Sequence, residues 1–221
     1  MTAEARIARP DRRGRLISLE GGEGAGKSTL LAGLREHFLG RGADVLYTRE
    51  PGGTPAGEAI RALVLDPAHH GIAAETELLL MFAARAQLVR EVLQPALAAG
   101  RWVLCDRFTD ASYAYQGGGR GIDAARIAEL ERLATGSLKP DLTLLLDLSV
   151  AHGRARASLR SDADRIETER DDFFERVRAA YLARAQAEPA RFRVLDATLP
   201  PGEVLRAAVA AIDALRAETA T

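Results

Sequence analysis

Leu16-Ile-Ser-Leu-Glu20 is a short, largely apolar run that ends in glycines, and behind it Leu30, Leu31, Leu34 and Phe38 recur at helical spacing. Together they predict a strand, a glycine-rich loop and a helix that opens near Lys27, with Gly40 and Gly42 closing it. Val45-Leu-Tyr-Thr48 predicts a second strand ahead of the turn-rich Pro51-Gly-Gly-Thr-Pro55. Trp102 to Cys105, Leu142 to Leu148 and Phe192 to Leu195 read as three more buried strands. Helical patterns run from about Thr76 to Ala99, Asp123 to Thr135, Asp171 to Ala187 and Pro201 to Arg216, with Asp123 and Asp171 placed as N-caps. Five strands alternating with helices predict an α/β sandwich with a mainly parallel sheet. The one low-complexity patch, Gly117-Gly-Gly-Arg-Gly121, suits a flexible or closely approached loop.

The chain has 221 residues, 47% hydrophobic and 28% charged, enough for one compact domain, assigned to 15–221. Residues 1–14 are polar and Arg-rich and are expected to form a disordered tail. The formal net charge of -1 provides no bulk field for nucleic acid or a membrane surface, so neither partner is expected and anion binding must come from local groups. The longest apolar stretch, Leu142 to Leu148, is too short to span a bilayer, and no signal-peptide run opens the chain. A lone cysteine, Cys105, excludes an internal disulfide framework and a cysteine-rich zinc site, and a soluble cytoplasmic protein is the expectation. His37, His69, His70 and His152 show no metal-ligand spacing with one another. Lys27 and Lys139 are the only lysines in an arginine-rich chain, so a lysine carries more information than an arginine.

One of those lysines falls in Gly21-Gly22-Glu23-Gly24-Ala25-Gly26-Lys27-Ser28, which matches G-x-x-x-x-G-K-[ST] between a predicted strand and a predicted helix. The glycines let the backbone curl until its N–H groups and the helix N-terminus point at a phosphate. Lys27 then reaches the β and γ oxygens, Thr29 follows in the first turn, and Ser28 is placed to ligate Mg²⁺. The motif predicts ATP and Mg²⁺ as cofactors, but switches, motors and kinases share it. A guanine reader N-K-x-D is missing, because Lys139-Pro-Asp141 does not fit it, and Gly22 stands where partitioning ATPases of the deviant type carry a lysine.

Further motifs agree with one another: Leu19-Glu-Gly-Gly-Glu-Gly-Ala-Gly-Lys-Ser28, Thr48-Arg-Glu-Pro-Gly-Gly-Thr54, Asp106-Arg107, Tyr115-Gln-Gly-Gly-Gly-Arg-Gly121 and Asp164-Arg-Ile-Glu167. With these the chain resembles the thymidylate kinases of the P-loop nucleoside monophosphate kinase superfamily, from about Leu16 to the C-terminal helix. The resemblance implies a three-layer sandwich with a small lid at about 151–167, a homodimer, and Mg²⁺-dependent transfer of phosphate from ATP to dTMP, giving dTDP for dTTP synthesis. It implies that Glu23 meets the acceptor's 3'-hydroxyl, although a solvent-facing Glu23 is the alternative. Arg107, emerging with Asp106 at the C-terminal end of a strand, would bridge donor and acceptor phosphates, and Asp106 would orient it or hold Mg²⁺ through water. Arg49 and Pro51 would face the same crevice. Arg85 would donate to the base's O4, with Ser112 and Gln116 as further base contacts and Tyr115 crowding the 2'-position. The family's stacking aromatic sits four residues before that arginine. Here Met81 holds that place and Phe82 is three before Arg85, and either could meet the base.

Phosphoryl transfer between two anions needs cations over the transferring group, and positions 22–25 hold no arginine. Family members of this kind carry basic residues in the lid, matched here by Arg154, Arg156, Arg160 and Arg165. Arg160, four residues before Asp164, is the expected catalytic contact, whereas Arg154 and Arg156 also read as a solvated helix face.

Overall fold

A computed structural model describes residues 13–157 and 164–218. Five strands, β1 (Leu16–Gly21), β2 (Val45–Arg49), β3 (Trp102–Asp106), β4 (Leu142–Asp147) and β5 (Phe192–Asp196), form one sheet in the order β2-β3-β1-β4-β5. All four pairings are parallel. With β1 central and β3 and β4 beside it, the loops that leave the C-terminal ends of these three strands share one edge, where ligands bind in such sheets.

The sheet is buried on both faces, and this explains why its inner strands read as unbroken apolar runs. Ile17, Leu19, Leu142, Leu144 and Leu146 pack with α1 (Lys27–Gly40) through Leu30, Leu34 and Phe38, and with the C-terminal helix, Pro201–Glu218, through Val204, Ala208 and Ile212. Alternate residues point the other way: Leu16, Val103 and Cys105 meet Leu88, Leu93 and Leu97, while Leu145 meets Phe174, Val177 and Tyr181.

Between β2 and β3 lie α2 (Pro55–Leu65) and α3 (Ala74–Leu88), which continues through a π-helical turn (Val89–Leu93) into α4 (Gln94–Ala98). The sequence pattern covers this last stretch as one helix and overlooks α2. That helix starts at Pro55, in the first turn, where its missing N–H costs nothing, and Thr54 caps it by accepting from the N–H of Gly57. After β3 come α5 (Thr109–Ser112) and a π-helical segment (Tyr113–Gly119) that absorbs the glycine patch. Close approach rather than flexibility explains those glycines: a Cβ on Gly118 would lie 2.8 Å from Arg176 O, and one on Gly119 would lie 2.4 Å from the Phe173 ring.

The remaining helices are α6 (Ala124–Thr135), α7 (Val150–Ala157), α8 (Asp171–Ala187) and α9 (Pro201–Glu218). Asp123 caps α6 by accepting from Ala125 N–H, as expected. Asp171 does not cap α8: Arg170 occupies that position, and Asp171 and Asp172 lie in the first turn, where their charge suits the helix dipole. Of the expected lid, α7 and residues 164–167 are described, while Arg160 and its neighbours at 158–163 lie outside the described residues, as does most of the expected tail.

Candidate active site

The loop after β1 wraps the N-terminus of α1. Gly26 precedes the helix in the left-handed conformation at φ 95, and Gly24, at φ 69, faces Gly153 of α7 so closely that a Cβ would lie 2.1 Å from its carbonyl oxygen. A Cβ on Gly153 would in turn meet Glu23 O at 2.4 Å. Only glycines allow this backbone contact. Lys27 Nζ donates to the carbonyls of Gly21 and Gly22, 3.0 Å from each. Loss of solvent, and then the nearby Arg107, lower the Lys27 ammonium to about 8.

Arg107 follows β3 with φ 68, a left-handed backbone that an arginine adopts only under constraint. Its N–H donates to Leu19 O at 2.9 Å. Its guanidinium donates to Gly21 O and Tyr181 Oη through Nη1, each at 3.1 Å. Through Nη2 it donates to Glu23 Oε1 at 2.6 Å and Tyr115 Oη at 2.9 Å. Tyr115 Oη also donates to Glu23 Oε1 at 2.8 Å, so Glu23 is drawn toward Arg107 rather than left to solvent. Behind this cluster, Glu20 is fully buried. Its Oε1 accepts from Phe108 N–H and its Oε2 from the Tyr181 hydroxyl, each at 2.7 Å. Burial, then Asp110, push the Glu20 carboxyl up to about 8.

These groups open into a cavity of about 660 Å³. Lining it are Glu23 through Thr29 on the donor side, Asp106 at the end of β3 and Arg107 just after it, and Arg49, Pro51, Met81, Arg85, Ser112, Tyr115 and Gln116. Gly21 and Gly22 line instead a cavity of about 50 Å³ behind the loop. Asp106 Oδ1 is buried and has no hydrogen-bond partner among the described residues. A hydroxyl at Ser28 and a bare carboxylate oxygen on one cavity wall are hard oxygen ligands of the kind Mg²⁺ takes, so the residues present fit that ion.

Arg85, only 3% exposed, donates from Nε to Glu50 Oε2 at 2.7 Å, from Nη1 to Ser112 Oγ at 3.0 Å and from Nη2 to Phe108 O at 3.1 Å. These bonds fix the plane of the guanidinium at the cavity wall and leave N–H groups for a ligand. Phe82 is not on that wall. It packs with Leu78 and Ile127, and its ring lies under the Arg85 guanidinium at 4.5 Å from the centroid. The reason is helical phase: Met81 is one turn before Arg85 on the cavity side, and the next residue turns inward.

Neither Arg154 nor Arg165 stands free over the cavity. Arg154 donates to Asp171 at 2.6 Å and lies over Phe174, and Arg165, buried, donates to Val64 O at 2.7 Å and pairs with Glu77. Arg156 lines the cavity and donates to Ala197 O at 3.0 Å. Arg49 reaches the wall but pairs there with Glu58 at 2.9 Å.

Comparison with known proteins decides the family, since the model for thymidylate kinase matches residues 19–208. The chain belongs to the thymidylate kinase family. It is 57% identical over 202 residues to thymidylate kinase of Ectopseudomonas mendocina, covering 91% of this chain and 94% of that one. It is 55% identical over 203 residues to thymidylate kinase of Halorhodospira halophila, with 90% and 94% covered. The crystal structure of thymidylate kinase from Ehrlichia chaffeensis superimposes with a TM-score of 0.74 at 28% identity, covering 91% of this chain and 99% of that one.

Several residues on or behind the cavity wall escaped the sequence reading. Glu50, Arg61, Asp164, Ile166 and Glu167 line the cavity, Glu77 and Tyr181 hold residues that do, and Glu20 acts on Arg107 through Tyr181. Glu20, Glu50, Asp164, Ile166 and Glu167 lie inside quoted motifs, and for Glu20 and Glu50 a charge beside an apolar strand was the available signal. Tyr181 offered none, because it resembles any other apolar position of α8.

Proposed function

We propose that this enzyme transfers the γ-phosphoryl group of ATP directly to the phosphate of dTMP, giving ADP and dTDP for dTTP synthesis. One observation carries the reading: the phosphate loop with Lys27 and the set Arg85, Ser112, Tyr115 and Gln116 line the same cavity, with Asp106 and Arg107 on its wall. Lys27 exchanges the carbonyls of Gly21 and Gly22 for phosphate oxygens, and Arg107 supplies fixed positive charge where two anions meet. Ser28 and Asp106 would hold Mg²⁺, which neutralises charge on the β and γ oxygens when bound. Glu23 and Tyr115 serve the sugar, Arg49 and Pro51 the acceptor's approach, and Met81 the base face. Ala197, Leu199 and Val204 line the cavity near Arg156 and make an apolar seat for adenine. With Arg154 and Arg165 committed elsewhere and Arg156 held by Ala197 O, Arg160 is assigned the lid contact on the transferring group.

Arg85 presents donors, which suit O4 of thymine and oppose the amino group of cytosine. An ADP-release assay across dTMP, dUMP, UMP, dCMP and no acceptor tests the whole reading. The expected order has dTMP fastest and UMP and dCMP far behind. Acceptor-independent turnover would remove the kinase reading, and preference for UMP would remove the substrate assignment.

A homodimer in the cytoplasm completes the proposal. Leu63, Leu79 and Leu133 are exposed on α2, α3 and α6, and α3 packs against both others, so one helical layer offers apolar surface. Mass measurement in solution tests it, with a monomer at working concentration as the contrary result. Among the described residues, no helix is long and apolar enough to cross a membrane.

A further inference from the structure

Behind Gln116 stands a carboxylate that never reaches the cavity. Glu77 of α3 is 1% exposed. Its Oε1 accepts from Gln116 Nε2 at 2.9 Å and from Arg120 Nε at 3.3 Å, and its Oε2 accepts from Arg120 Nη2 at 3.1 Å and from Arg165 Nη2. An ionised carboxylate only accepts hydrogen bonds, so the end of the Gln116 carboxamide turned toward it must be the NH₂. Gln116 itself lies on the cavity wall with Arg85 and Ser112.

We infer that Glu77 is a positioning residue for base selection: by claiming the NH₂ of Gln116 it leaves the carbonyl oxygen as the group offered to the pyrimidine. That oxygen matches the N3–H of thymine and opposes the lone pair on N3 of cytosine. The inference rests on the dTMP reading and adds the second half of the base code. Arg85 contributes a donor, Gln116 an acceptor, and thymine presents the complementary pair while cytosine presents both groups inverted.

The surrounding arginines make the orientation durable. A protonated Glu77 would carry an O–H, and the Gln116 amide could then flip and accept it. Burial pushes Glu77 that way, but hydrogen bonds from Arg120, Gln116 and Arg165 more than compensate and hold it below the usual carboxylate range. Both arginines are fixed in turn, Arg120 over the Phe173 ring at 4.8 Å and Arg165 by Val64 O at 2.7 Å.

The test compares equilibrium binding of dTMP and 5-methyl-dCMP, which differ only at position 4 and in the protonation of N3. In Glu77→Gln the Gln116 amide is freed. In Glu77→Asp the charge is kept for the arginines but withdrawn by one methylene. In both, the preference for dTMP should fall roughly tenfold. In a Gln116→Ala background, adding Glu77→Gln should leave the ratio unmoved. A purely structural Glu77 would weaken both nucleotides equally, and that result overturns the inference, as does a fall that persists without Gln116. If neither Glu77 variant folds, the wild-type enzyme decides: the side-chain amide protons of Gln116 should exchange slowly with solvent in the dTMP complex, and fast exchange overturns the inference. Wild-type enzyme with no affinity for dTMP would remove the acceptor reading and this inference together. Retained affinity with an unmoved ratio in the Glu77 variants would remove this inference alone.

Discussion

The hydroxyl of Tyr181 in α8 donates to Oε2 of Glu20 in β1 across 2.7 Å, and the Tyr181 Oη itself accepts from Arg107 Nη1 at 3.1 Å. Glu20 thus grips Arg107 twice, through Tyr181 at the guanidinium and through the Phe108 N–H just past the left-handed backbone. Tyr181→Phe leaves a buried carboxyl oxygen without its donor and is expected to cost about 1–3 kcal/mol in urea unfolding. It should also lower kcat, because Arg107 loses one of its fixed acceptors. Unchanged stability and unchanged kcat would refute the linkage.

Glu20 also ties stability to pH. Its folded-state value of about 8 lies above the ordinary 4.5, so the folded protein binds more protons than the unfolded chain between those values. The contribution is fully present below about 4.5 and is lost as pH rises through 8. Glu20→Gln should flatten that limb of a Tm-against-pH profile, and a limb of undiminished slope would count against it.

Lys27 is expected to titrate within the working range. Its ammonium, lowered to about 8, loses its charge above that pH in the free enzyme, so kcat/KM for ATP should fall on the alkaline side. Initial rates at limiting ATP from pH 6.5 to 9.5 check this, and a flat profile would contradict it.

Met81 and Phe82 should separate cleanly. Phe82→Ala empties a core position and removes the ring under Arg85, with an expected loss of about 3–5 kcal/mol on thermal or urea unfolding. Met81→Ala should leave stability nearly intact and raise the KM for dTMP several-fold. The reverse pattern would put Phe82 on the base.

Arg160→Ala should lower kcat by roughly 10²-fold or more with little change in ATP affinity, as expected for a contact made in the transition state. Arg154→Ala, in contrast, should act mainly on stability, because its partners are Asp171 and Phe174. Single-turnover rates with ATP titrations distinguish the two, and equal effects on kcat would argue against Arg160.

The strands, the phosphate loop and the alternation of strands with helices were legible because each is a local pattern: Leu16 to Ser28 declares strand, loop and helix start within thirteen residues. What escaped was set at a distance. The helix Pro55–Leu65 hides behind a turn signal that is really its cap. Met81 and Phe82 are neighbours, and only the packing of Leu78 and Ile127 decides which one turns inward. Glu77 meets Gln116 and Arg165 across 39 and 88 positions, a separation at which no periodicity survives. The family's motifs ran along the cavity wall, while Glu77 and Tyr181, which brace it, lay in ordinary helix.

Gly24 and Gly153 touch backbone to backbone, with no room for a methyl group on either. A helix bedded so tightly on the phosphate loop cannot swing without prising that loop open. Helix α7 is therefore part of the anvil rather than the hammer: Val150–Ala157 and the phosphate loop move as one piece. A bulky residue at position 153 would injure ATP binding first, without touching a nucleotide.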